Sequence, residues 1–300
     1  MFASFGKGWA FLKQAWGMVG KDRDLIKPSI YALVVGSIVG LVGIIPIVLV
    51  ALFLRNSDLG NIIMFVIGAV VVFTQFIVSY VFSAMTIYLI YGYLAEGDGK
   101  MNKAWAIVRR DFFDIASLAA VSTLVNLLRG LANRNRRGGL ASSVARAGTG
   151  LLQILWTEAA FLILPAMVID DFNLKKGLAR AGEITKNNLL LIGVSTVGVR
   201  AVTGLIGFIF AMVGLVLGFA IGGGLGYVSG GDTTTTAVGI GLGLLVFFFF
   251  IVIASVISSY TGTAYHTCLY LWARDVETAK EKGKSAERVA APAPLAAVLQ

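Results

Sequence analysis

The chain has 300 residues, of which 57% are hydrophobic and only 14% charged, with a mean hydropathy of +0.84. That excludes an ordinary soluble domain, where about a quarter of residues carry charge. The formal net charge of +9 would direct a soluble chain to nucleic acid, but here the basic residues lie in short segments between apolar runs. They point to anionic lipid head groups, with no nucleic-acid partner.

Residues 1–27 hold five Lys and Arg residues, with no clean apolar core and no small-residue cleavage site, so no cleavable signal is expected. They read as a short amphipathic stretch, GWAFLKQAWGMVG, followed by a basic elbow. Six apolar runs follow, at 29–54, 61–94, 113–131, 147–169, 189–222 and 237–272. Each reaches the roughly 18 residues that a span requires. The runs are continuous and not alternating, which excludes an outer-membrane barrel. The expected fold class is an all-α integral membrane protein of about six transmembrane helices. The second and sixth runs are too long for one crossing, since 34 helical residues reach ~50 Å against a core of ~30 Å. They must tilt, bend or continue as helix beyond the bilayer. A single transmembrane domain is expected over 1–274, and the charged, then Ala- and Pro-rich segment 275–300 reads as a disordered cytoplasmic tail.

Basic residues set the orientation. With the N-terminus inside, 18 of the 25 Lys and Arg residues fall in inner segments, and the outer segment at 221–236 has none. Both termini are therefore expected in the cytoplasm. RNRRGG at 134–139 sits badly with this, because five arginines, from Arg129 to Arg146, would lie outside if runs three and four both cross. The alternative is a shallow hairpin over 113–169 on the inner surface.

An internal repeat favours crossing. GWAFLKQAWGMVGKDRDLIKPSIYALVVG (8–36), NKAWAIVRRDFFDIASLAAVS (102–122) and LKKGLARAGEITKNNLLLIGVSTVG (174–198) share one order: amphipathic stretch, polar elbow, span. The chain then divides into three helix hairpins, each led by an amphipathic cytoplasmic surface helix, with a pseudo-threefold axis along the membrane normal. The first of these stretches, LPAMVIDDFNLKKGLARAGEITKNNLLLIG and TAYHTCLYLWA together resemble an uncharacterised bacterial integral-membrane family catalogued only as a domain of unknown function. The resemblance covers about residues 5–275, and the glycine run at 222–231 departs from it. It implies a helical protein of the bacterial cytoplasmic (inner) membrane and carries over no catalytic residues.

Two charges stand inside apolar runs. Glu158 lies twelve residues before Asp170, and Arg200 twelve residues after Asn188, so both are expected ~18 Å from the same face. A lone arginine at mid-helix costs at least ~2.5 kcal/mol, so equal depth and opposite sign make a Glu158–Arg200 pair the economical expectation. Such a pair either fixes helix register or forms a transport or ligand site. Asn126 and Gln75 are the other strongly polar interior candidates.

Gly214, Gly218, Gly222 and Gly226 recur every four residues, as do Gly36 and Gly40. Each set lines one helix face and admits close backbone packing, within the chain or in a homo-oligomer. DDFNLKKGLAR at 170–180 is superficially like the metal-binding pattern of membrane phosphatidyltransferases, but the completing carboxylates do not follow. Asp170 and Asp171 read instead as caps of the next surface helix. His266 and Cys268, near the inner end of the sixth run, have no second histidine to complete a metal site or catalytic pair. Tyr80, Tyr88 and Tyr91, with Tyr260, Tyr265 and Tyr270, read as interfacial aromatics. No catalytic residue, metal or cofactor is expected. Two functions remain: a non-enzymatic membrane organiser working through surface helices and glycine faces, or a small-solute permease using Glu158 and Arg200.

Overall fold

The computed structural model describes residues 2–54, 57–134, 140–187, 189–228, 230, 232–285 and 289–299. Among them the helices run α1 Phe2–Lys21, α2 Lys27–Phe53, α3 Asp58–Glu96, α4 Met101–Arg110, α5 Phe112–Arg134, α6 Leu140–Asp170, α7 Leu174–Asn187, α8 Leu189–Val228, α9 Thr233–Glu281 and α10 Ala293–Leu299. Six helices are long and apolar enough to cross a membrane, so the chain is an all-α, multi-pass membrane protein. A short helix and then two long ones recur three times in this order. Arg136 and Arg137 of the basic 134–139 segment, Arg55 and Asn188 lie outside the described residues.

Local chemistry marks the helix ends. Ser57 caps α3 by accepting the Gly60 N–H (2.9 Å), and Gly97 ends it at φ 80°, its N–H reaching the Tyr93 carbonyl. Pro28 occupies the first turn of α2, where no helical N–H is lost. Asp170 and Asp171 do not cap α7. Asn173 does, accepting the Lys176 N–H at 3.0 Å, because Asp170 ends α6 and Asp171 turns the chain at φ 55°. At 39, 40 and 49 residues, α3, α8 and α9 outrun one bilayer crossing. α9 runs past 274, and 293–299 form a helix with Leu295 fully buried, where the sequence pointed to a disordered tail. The apolar APLAAVL run supplies a face that burial rewards.

The chain divides into two compact units. In the first (1–20, 190–265 and 293–300), α1 packs on α9. Trp16 Nε1 donates to Thr261 Oγ1 (3.2 Å), Tyr260 donates its hydroxyl to the Ala15 carbonyl (3.1 Å), and Phe11 meets Tyr265 edge to face. In this unit α8 and α9 form an antiparallel hairpin closed by glycine. A Cβ on Gly218 would lie 2.6 Å from the Gly243 carbonyl oxygen, and one on Gly222 would lie 3.3 Å from that of Gly239. Gly214 abuts Phe250 and Gly226 abuts Thr236.

In the second unit (21–189 and 266–292), α3, α5 and α6 pack on one another, and α2 lies along α3. Gly36 and Gly40 flank the Gln75 side chain, whose Nε2 donates to the Gly36 carbonyl at 2.7 Å. Glycine there makes room for an amide that would otherwise be stranded in hydrocarbon. Burial is graded along the helices. Ala84–Ile90 of α3 and Ala160–Val168 of α6 are almost wholly buried, whereas Leu59–Val70 of α3 and most of α2 expose large apolar side chains, as a lipid-facing surface must.

Candidate functional site

The second unit holds a cavity of about 140 Å³ between α3, α5 and α6. Each helix presents a polar pair one turn apart: Ser79 and Ser83 on α3, Ser122 and Asn126 on α5, Gln153 and Thr157 on α6. Residues i and i+4 share a helix face, so three otherwise apolar spans turn a polar stripe to one centre. Ser122 Oγ organises the wall, 2.7 Å from the Tyr80 hydroxyl and accepting from Trp156 Nε1 at 2.8 Å. Arg129 donates to Gln153 Oε1. Phe76, which stacks on Tyr80, and Phe161 complete the aromatic lining.

Phe161 also links the cavity to Glu158. Its ring stacks on the His266 imidazole (centroids 4.6 Å apart, planes 13° apart), and His266 Nε2 lies 3.5 Å from Glu158 Oε2. His266 is 5% exposed and Cys268 fully buried, so both are packed in the interior of the protein. The sixth run covers 237–272 in the sequence, and its helix continues to Glu281, as a run too long for one crossing allows. Arg200, the other charge singled out in the sequence, belongs to the first unit. It is exposed on α8, and its carbonyl oxygen accepts from Thr203 Oγ1 at 3.2 Å.

A network of charges gathers where α4, α6 and α9 end in the second unit. Asp170 accepts from the Tyr270 hydroxyl and from Arg274 (3.2 Å), and Arg180 pairs with Glu277. Arg110 grips buried Asp111 with two hydrogen bonds (2.6 and 3.0 Å) and reaches Asp171 at 3.0 Å. The Asp111 hydrogen bonds hold the Arg110 guanidinium above its already high ordinary pKa. The aspartates of DDFNLKKGLAR are thus engaged by arginine and tyrosine. Among the described residues no group of three or more His, Cys, Asp or Glu side chains could hold a metal ion.

Of the polar residues flagged in the sequence, Asn126 lines the cavity and Gln75 is held between Gly36 and Gly40. Ser79, Ser83, Ser122, Gln153, Trp156 and Thr157 line the cavity without standing out in the sequence, where Tyr80 reads as an interfacial aromatic. The signal was present as three polar i, i+4 pairs on apolar runs, visible only when the runs are compared. No protein-family model matches the chain, and neither does any curated protein. The likeness to an uncharacterised bacterial family rests on the quoted motifs alone.

Proposed function

We propose that this chain is a non-enzymatic, multi-pass protein of the bacterial cytoplasmic membrane, with both termini inside, that binds and passes a small polar solute through the α3–α5–α6 cavity. The observation that carries this is the convergence of three polar pairs on one cavity within spans whose other faces are apolar. Buried polar groups in a membrane are costly and need a use or a partner. At about 140 Å³ the space is far below the ~300 Å³ at which drug-sized ligand pockets begin. The asymmetry of Lys and Arg along the chain supports the orientation.

The sole cysteine, Cys268, is fully buried, so thiol labelling has a low background. Ser79→Cys and Asn126→Cys in whole cells and inverted vesicles should react with a small membrane-impermeant thiosulfonate from at least one side. If neither reacts from either side, water does not reach the cavity and the reading falls.

A lipid-organising role has its own support. The short helices expose Trp9 (52%), Trp105 (41%) and Leu178 (46%) beside Lys7 and Lys13, Lys103 and Arg109, and Lys175 and Lys176, with Arg109 lying over Trp105. Aromatic and basic residues together suit an anionic interface. Melting temperature in nanodiscs should rise with anionic lipid content. A flat response would remove this role.

A further inference from the structure

We infer that the solute of the α3–α5–α6 cavity is an uncharged polyol of three to four carbons, an inference that rests on the solute reading above. Among the described residues the wall contains no charged side chain: its polar members are hydroxyls, amides and an indole, with Arg129 behind it on Gln153. A charged solute would enter without a counter-charge in the lining, which is costly in a low-dielectric interior. Glu158 does not line the space, and the connection to it is through Phe161, whose ring is stacked on His266.

Hydroxyls and carboxamides both donate and accept hydrogen bonds. Ser122 is already engaged by Tyr80 and Trp156, Gln153 Oε1 by Arg129, and the Thr157 hydroxyl donates to the Gln153 carbonyl, so a ligand meets chiefly Ser79, Ser83 and Asn126 and must both donate and accept, as adjacent hydroxyls do. The remaining wall is apolar and aromatic, with Phe76 and Phe161 offering ring surfaces to a carbon skeleton. Carbon-bound hydrogens along a short polyol chain fit that surface. Size sets the upper limit. A cavity of about 150 Å³ accepts benzene, with six heavy atoms, so the space here accommodates glycerol, which also has six, and excludes a hexitol with twelve.

The test is osmotic entry into proteoliposomes of the full chain, followed by stopped-flow light scattering, with glycerol, erythritol, sorbitol and choline chloride as probes. Glycerol and erythritol are expected to enter several-fold faster than into protein-free liposomes, and sorbitol and choline at the protein-free rate. Ala160→Leu fills the cavity and should return glycerol entry to background. Asn126→Leu, which removes a polar group at little change in volume, does the same if the first variant fails to fold. Entry of choline without glycerol would overturn the polyol assignment and leave the solute site standing. Entry of neither would overturn the assignment and the permease reading with it. Glycerol entry undiminished in both folded variants would show a path that avoids this cavity, and would overturn the inference.

Discussion

Gly218 offers the sharpest test of the first unit, because one added methyl has a calculable cost. In Gly218→Ala the new Cβ would lie 2.6 Å from the Gly243 carbonyl oxygen, and the obstacle is backbone, which cannot swing aside. An unstrained C···O contact needs about 3.3–3.6 Å, so α8 and α9 must part locally by about 0.7–1 Å. Overpacking of this kind costs about 1–3 kcal/mol. Alanine also favours helix over glycine by about 1 kcal/mol, so the wild type is the wrong reference. The proper control is Gly224→Ala, six residues on in α8, where a Cβ meets nothing within 4 Å. Both variants receive the same helix gain, and only Gly218→Ala pays for the contact. Their unfolding free energies, measured by dodecyl sulfate titration in mixed micelles, should differ by about 1–3 kcal/mol, with Gly218→Ala the weaker. Equal midpoints would refute the close α8–α9 crossing. The particle mass in mild detergent should stay the same even for Gly218→Leu, since α9 occupies the glycine face. A smaller particle would mean that this face also joins copies.

Ser122→Ala removes the hydroxyl that Tyr80 and Trp156 share. At about 0.6 kcal/mol per hydrogen bond in membrane bundles, a loss near 1 kcal/mol is expected in the same titration, and a loss above about 3 kcal/mol would contradict a wall open to water. The Glu158–Arg200 pair inferred from depth is tested by the cycle Glu158→Gln, Arg200→Met and both. A coupling of about 0.5–3 kcal/mol supports it, and strict additivity would leave His266 as the Glu158 partner of consequence. Asp232 caps α9, and its carboxyl is held below the ordinary aspartate pKa by the backbone N–H of Thr235. A depressed folded value means that its stabilisation is complete above the unfolded pKa and lost as pH falls through the folded one. Melting curves of the wild type should therefore fall relative to Asp232→Asn below the ordinary aspartate pKa, and parallel curves would show that the cap does not form.

The six spans were legible because a lipid environment demands long apolar runs, and Leu, Val, Ile and Phe announce them without help from partners. Ends were less legible. Ser57 and Gly97 are cap residues that the sequence displays openly, whereas the continuation of α9 to Glu281 depends on Arg180–Glu277 and Asp170–Arg274 contacts across other helices. The cavity was illegible for a different reason. Ser79, Ser122 and Thr157 are individually unremarkable in a span, and their meaning comes from three faces meeting, which no single helix encodes.

The three short helices share one buried pattern. α1 buries Phe11, Ala15 and Met18. α4 with its following residue buries Ala104, Val108 and Asp111. α7 buries Gly177, Ala181 and Ile184. The spacing is the same, i, i+4, i+7, in all three, although the side chains range from glycine to phenylalanine. Each stripe rests on the second long helix of a hairpin. α4 lies on α3 and α7 on α6, where Gly177 sits close against Ile163 and Met167, both neighbours in sequence. α1 instead packs on α9, 245 residues away, through Trp16–Thr261 and Tyr260–Ala15. Proximity in the chain explains the first two contacts and cannot explain the third. Long-range closure onto α9 costs loop entropy that local pairing would avoid, and the Trp16–Thr261, Tyr260–Ala15 and Phe11–Tyr265 contacts offset it. Asp111 stands at the stripe position that Met18 and Ile184 hold, so the three helices share a buried spacing and not a set of side chains.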